Sequence, residues 1–201
     1  MRHGDCRQDD VKRYIGQSDL PLNAAGRTQA LHWRRALADA PFRRIFCSDL
    51  NRSRETARIV ADGRIESLQQ LHGLREIHLG EWDGLPIDEA SRRYPGEYEK
   101  RIADIAAYRT PGGESFAELA ARVIPLLEDI LRKNHGPLLI VGHAGVNRVI
   151  LCHILGMPMA NLFRLHQDYG CLNVINCSRE GLTVRRMNIC LPTPLGNYSP
   201  L

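Results

Sequence analysis

Two hydrophobic periods alternate along this chain. The short runs "RRIFCS" (43–48), "PLLIVGH" (137–143), "LNVINC" (172–177) and "LTVRRM" (182–187) are rich in β-branched and aromatic residues and predict strands. Leu138 to Val141 is continuously apolar, the pattern of a strand covered on both faces. In "GGESFAELAARVIPLLEDILRK", Phe116, Leu119, Ala120, Val123, Leu127 and Ile130 recur at helical spacing and form one apolar stripe. Ser115 and Glu118 stand as a capping box, so that helix is predicted to start near Phe116. Pro125 lacks an amide hydrogen and is expected to kink it. Further helices are predicted over 23–38 behind an Asn23 cap, over 50–61 and over 145–155. Strands alternating with helices imply an α/β fold, a three-layer sandwich whose mostly parallel central sheet is flanked by helices. Without an internal repeat or a linker, 1–201 reads as a single domain.

Composition narrows the partners. The 27 Lys+Arg against 23 Asp+Glu give a net charge of +4, spread along the chain rather than blocked. That favours a small anionic substrate over nucleic acid, whose binders show a denser basic face. No apolar run reaches membrane-spanning length, which predicts no membrane partner and a cytoplasmic location. Cys6, Cys47, Cys152, Cys171, Cys177 and Cys190 form no CxxC pair and no zinc spacing. They read as reduced, semi-buried thiols, and no metal site is expected.

Candidate chemistry gathers where predicted strands end. "RIFCSDLNRSRETA" runs strand, polar turn, helix, with Arg52 in the first helical turn. "LLIVGHAGVNRV" does the same, with His143 at the strand's carboxyl end and Ala144 opening the helix. Ligands of open α/β sheets bind outside those ends, where helix N-termini offer free N–H groups to phosphate. An arginine there adds a bidentate fork for phosphate oxygens. "LREIHLGEWDG" (74–84) supplies Glu76, a carboxylate able to protonate a leaving oxygen, with Glu81 and Asp83 as alternatives. Each residue alone has an ordinary structural explanation: a solvated Arg52, a hydrogen-bonded His143, a disordered "RHG" (2–4) at the amino end.

Together, "RHG", "SDLNRSRETA", "LREIHLGEWDG" and "VGHAGVNRV" resemble, in order and approximate spacing, the histidine phosphatase superfamily, the phosphoglycerate-mutase-like proteins. "YIGQSDLPLNAAGRTQA" (14–30) and "PGGESFAELAARV" (111–123) extend the resemblance over nearly the whole chain. It implies that His3 is the nucleophile, that Arg2, Arg52 and His143 neutralise the phosphoryl oxygens, and that Glu76 is the proton donor. It also implies that Gly16 and Ala144 lie against the substrate and that no metal or cofactor takes part. The chain departs from the pattern at Asp5 and Cys6, at Asp9 where Asn is common, and at Ile15 where Thr is frequent. An unpaired Asp9 would repel a highly charged substrate. Cys6 lacks the C-x5-R loop of cysteine phosphatases and reads as a packing residue. Trp33 reads as core, and Trp82 as either the mouth of the site or packing. His32, His72, His78, His135, His153 and His166 have no matching role and read as surface or structural residues.

The implied activity is metal-independent hydrolysis of a small phosphomonoester through phosphohistidine. Only 27 residues separate Gly84 from Gly112, so the capping segment is short and the pocket open. "NLFRLHQDYGCLNVI" (161–175) resembles the branch that includes α-ribazole phosphatases, which points to α-ribazole 5′-phosphate as substrate. A phosphoglycerate mutase and a non-catalytic phosphate-binding module are the alternatives, and a homodimer stays open beside a monomer. In the superfamily an apolar interior strand precedes the "RHG" motif. The expectation is therefore that upstream residues supply it in the natural protein, and that without them His3 is poorly anchored unless another segment fills the gap.

Overall fold

The computed structural model describes residues 1–191; the remaining residues of the expected domain, 192–201, lie outside the described residues. Asn23 caps α1 (Ala24–Ala36), its side chain accepting from Gly26 N–H at 2.8 Å. Helix α2 (Asn51–Ala61) follows β1 (Arg44–Cys47) directly and leads to β2 (Leu68–Gln70). Two short helices, α3 (Ile87–Arg93) and α4 (Pro95–Ala103), occupy the capping segment. Helix α5 (Phe116–Lys133) begins at the expected capping box: Ser115 Oγ accepts from Glu118 N–H at 3.1 Å while Glu118 accepts from Ser115 N–H at 2.8 Å. It continues through Pro125 and buries Phe116, Leu119, Val123, Leu127 and Ile130. Strand β3 (Leu138–Val141) runs into α6 (Ala144–Leu155), and β4 (Leu172–Ser178) and β5 (Gly181–Ile189) close the described chain.

The three-stranded sheet is parallel, in the order β2-β1-β3. Alternation along its strands divides the core in two. Ile45, Cys47, Leu139 and Val141 pack with Trp33, Ala57 and Val60 of α1 and α2. Phe46 packs on the opposite face with Leu119, Val123 and Val146 of α5 and α6. Helices on both faces make the expected three layers. Strands β4 and β5 form a separate antiparallel hairpin rather than adding to the parallel sheet. No helix among the described residues is long and apolar enough to cross a membrane.

Among the described residues, the outer edge of β3 is paired only at its carboxyl end. There Arg2 bridges Gly142 in parallel, Gly142 N–H donates to the Met1 carbonyl at 2.9 Å, and the Met1 amine donates to Ile140 O at 2.8 Å. Beyond Met1 a cleft of about 740 Å³ continues between β3 and β4, lined by Leu138, Ile140, Leu172, Val174, Leu127 and Phe42 among others. Leu138 and Ile140 are accordingly half-buried, not covered on both faces as their apolar run predicts. Burial in this cleft lowers the pKa of the Met1 amine from 8.0 to about 6. His3 is nonetheless tied on both sides: its N–H donates to Gly142 O at 3.0 Å and its carbonyl accepts from Gly170 N–H at 2.9 Å.

Candidate active site

Strand ends bring the expected residues to one edge of the sheet. His3 lies beside the end of β3, His143 is the first residue before α6, and Arg52 occupies the first turn of α2. The His3 and His143 rings lie 5.0 Å apart, centroid to centroid. All three side chains are buried, as is Glu76. Glu76 enters from the loop after β2, and its Oε2 accepts from Gly145 N–H, at the start of α6, at 3.0 Å. A Cβ at Gly145 would stand 2.4 Å from Glu76 Oε1, so only glycine lets the carboxylate reach the helix start.

Burial and two guanidinium charges, Arg52 and Arg2, hold the His3 imidazole well below its ordinary pKa of 6.5. His3 Nδ1 pairs with the Gly4 carbonyl at 2.7 Å, and a carbonyl can only accept. The proton of neutral His3 therefore sits on Nδ1, and Nε2 carries a lone pair. His143 is depressed in the same way by burial, then by Arg52, His3 and Arg2. Its Nε2 meets Ser48 Oγ at 2.6 Å.

The arginines combine held and unspent donors. Arg52 gives Nη1 to Ser18 O and Nη2 to Gly16 O, each at 2.6 Å, while its buried Nε has no partner. Arg2 gives Nη1 to Gln167 O at 2.5 Å and stacks 3.6 Å over the Tyr169 ring, and its Nε is also buried and unspent. With His143 Nδ1, these are three nitrogens without a partner among the described residues, on side chains already drawn together. Buried polar groups are normally satisfied, so such a cluster suits an anion with several oxygens.

Gly16 touches this group through its backbone. Its carbonyl holds Arg52, its N–H donates to Asp83 at 3.1 Å, and a Cβ there would come within 2.7 Å of Ile77 O. Ala144 opens α6, where helix N–H groups lack partners within the helix. Asp9 is exposed and paired with Arg13 at 2.8 Å, which offsets its charge. Cys6 is buried, and burial raises its thiol pKa against the pull of Arg52 and Arg2. Trp82 is fully buried among Tyr14, Tyr94, Tyr98 and Tyr108, which makes it packing rather than mouth. Trp33 lies in the core as expected. His72, His78, His135, His153 and His166 are exposed and His32 is half-buried.

Several contributors were not anticipated. Arg122 of α5 donates to the carbonyls of Gly73, Arg75 and Glu76 at 2.7, 2.9 and 3.0 Å, and pairs with Glu114 at 2.7 Å, clamping the loop that carries Glu76. Asp83 collects the N–H groups of Gly16, Gln17 and Ser18. Ser48 meets His143, and Tyr169 covers Arg2. Asp83 is one of the three carboxylates the sequence offers as an acid, and the structure gives it this holding role instead.

The family described as the histidine phosphatase superfamily (branch 1) matches residues 1–190. The chain belongs to that superfamily. An adenosylcobalamin/alpha-ribazole phosphatase of Salmonella typhimurium is 29% identical to it over 189 residues, 94% of each chain. A probable phosphoglycerate mutase of Enterobacter sp. is 33% identical over 160 residues, covering 79% of this chain and 74% of the other. The crystal structure of the alpha-ribazole phosphatase from Shigella flexneri matches with a TM-score of 0.87 at 27% identity over 94% of both chains. These relatives are thus named as phosphatases and as a probable mutase, and they share the fold described above.

Proposed function

We propose that the protein hydrolyses a small phosphomonoester in two displacements at His3. In the first, the Nε2 lone pair attacks phosphorus, the ester P–O bond breaks, and the leaving oxygen takes a proton from Glu76. In the second, water attacks the phosphohistidine, Glu76 takes the water's proton, and the P–N bond breaks to release phosphate. Each step balances without an added reactant, and two easier displacements replace one hard one. Arg2, Arg52 and His143 supply positive charge and donors to the oxygens in flight. The observation that carries this reading is the 2.7 Å contact from His3 Nδ1 to Gly4 O, which leaves Nε2 as a nucleophile.

A nucleotide-like 5′-phosphate, α-ribazole 5′-phosphate first, is the proposed substrate. It rests on relatives that bear the name alpha-ribazole phosphatase at 29% identity and at a TM-score of 0.87. The 33% identity to a probable phosphoglycerate mutase supports a second reading, in which the phosphoryl group passes to another hydroxyl instead of water. The six free cysteines fit the cytoplasm, where thiols stay reduced.

Rapid quenching with a ³²P-labelled aryl phosphate should trap an acid-labile, alkali-stable label on the wild type and none on His3→Ala. Turnover should continue in EDTA, and added 2,3-bisphosphoglycerate should not be needed. Label persisting in His3→Ala, or activity lost to EDTA and restored by Mg²⁺, would overturn the mechanism. Turnover only with 2,3-bisphosphoglycerate would favour the mutase.

A further inference from the structure

We propose that Ser48 is a positioning residue that places the proton of His143 on Nδ1, so that His143 meets the phosphoryl group as a hydrogen-bond donor. The proposal rests on the phosphatase reading above and deepens it.

Ser48 follows β1 and is fully buried, with Oγ 2.6 Å from His143 Nε2. Either atom of that pair could hold the hydrogen, and the surrounding bonds decide between them. Ser53 Oγ spends its hydrogen on the Val141 carbonyl at 2.7 Å and accepts from Ser48 N–H at 3.2 Å. It therefore has no hydrogen to give Ser48, and Ser48 Oγ has no other acceptor than His143 among the described residues. If Nε2 carried the proton, the Ser48 hydroxyl hydrogen would be buried without an acceptor, an arrangement native proteins avoid. If Ser48 donates, the hydroxyl hydrogens of Ser53 and Ser48 are both used, and the one hydrogen left to give is on His143 Nδ1.

The remaining nitrogen of His143, Nδ1, then carries the ring's hydrogen, and it is buried without a partner among the described residues. Burial and the neighbouring Arg52 charge disfavour the doubly protonated ring, so the neutral donor form is favoured. The two histidines share a tautomer but use it in opposite senses. His3 spends Nδ1–H on Gly4 and offers a lone pair, while His143 spends its lone pair on Ser48 and offers N–H. A His143 of the other tautomer would face phosphoryl oxygens with a lone pair and repel them.

Two-bond ¹H–¹⁵N spectra of ¹⁵N-histidine protein at pH 7.5, assigned with His143→Gln, test this directly. We expect the His143 signals of a ring protonated at Nδ1 in the wild type, and loss of that pattern in Ser48→Ala. On an aryl phosphate, kcat of Ser48→Ala should fall about 10²-fold, as when one preorganised donor is lost, with KM little changed. A wild-type His143 protonated at Nε2 overturns the proposal even if Ser48→Ala cannot be folded. A Ser48→Ala enzyme that keeps both the Nδ1–H pattern and full kcat overturns it as well. A wild type with the expected tautomer that hydrolyses no ester in a phosphate panel would support Ser48's role while removing the phosphatase reading.

Discussion

Appending four apolar residues such as Ile-Val-Ile-Val ahead of Met1 should stabilise the domain by filling the cleft beside β3. The register follows from existing bonds. In a strand a residue's N–H and C=O point the same way, and Ile140 O already receives the Met1 amine. The Ile140 N–H and both polar groups of Leu138 therefore face the cleft, three groups that an added strand would pair. Three hydrogen bonds contribute about 3 kcal/mol. Four apolar side chains entering the 740 Å³ cleft contribute about 9 kcal/mol. Ordering four residues costs about 9 kcal/mol. Converting the Met1 amine into an amide removes a group whose pKa is lowered from 8.0 to about 6, worth about 1.4 kcal/mol at neutral pH. The net gain of about 4 kcal/mol corresponds to a Tm rise of about 10 °C for a domain of this size. A Gly-Ser extension of equal length serves as control, since it orders chain without burying apolar surface. Thermal unfolding by circular dichroism reads the shift, and amide exchange should show new protection at Leu138 and Ile140. An apolar extension whose Tm and exchange match those of the Gly-Ser control would refute the register and the role given to the cleft.

Two further outcomes follow from the site. Glu76→Gln should slow hydrolysis by about 10²–10⁴-fold for alkyl esters and by less for aryl esters with good leaving groups, which steady-state rates across a leaving-group series will show; equal losses would remove Glu76 as the acid. His3 and His143 both titrate below 6.5 in the folded protein, so below that pH the unfolded chain binds more protons and stability falls with pH. Urea unfolding at pH 7.5 and 5.5 should show this loss, at most about 1.4 kcal/mol per pH unit for each ring, and His143→Gln should reduce it.

What the sequence revealed, and what it hid, depended on distance along the chain. The stripe from Phe116 to Ile130 and the Ser115–Glu118 box are local patterns, and α5 appears where they place it. Arg52 and His143 were legible because strand, turn and helix signals flank them within a few residues. Ser48 and Arg122 were not, because their partners lie far away: His143 for one, the carbonyls of 73–76 for the other. Among three carboxylates in one loop, only the resemblance selected Glu76. The structure separates them physically, since Asp83 is spent on the 16–18 turn and Glu81 on the Tyr94 hydroxyl. The antiparallel pairing of β4 and β5 is not legible in the sequence, because the Arg179-Glu180 connection lacks the Asn-Gly type of signal. Half-burial of Leu138 and Ile140 was invisible to periodicity, which registers the apolar run and not the cleft beside it.

The placement of the two tryptophans gives the protein a pair of built-in optical probes. Trp33 Nε1 donates to Gly170 O at 2.6 Å, and Gly170 N–H donates at 2.9 Å to the His3 carbonyl, so one indole sits two hydrogen bonds from the His3 backbone. Trp82 is sealed among tyrosines in the loop that carries Glu76, beside the Arg101 guanidinium at 5.9 Å. With no other tryptophan in the chain, each single Trp→Phe variant leaves one fluorophore. Emission from Trp33 alone would follow events at His3, and emission from Trp82 alone would follow the loop of Glu76. Stopped-flow mixing with substrate could then time the two halves of the site separately, without any added label.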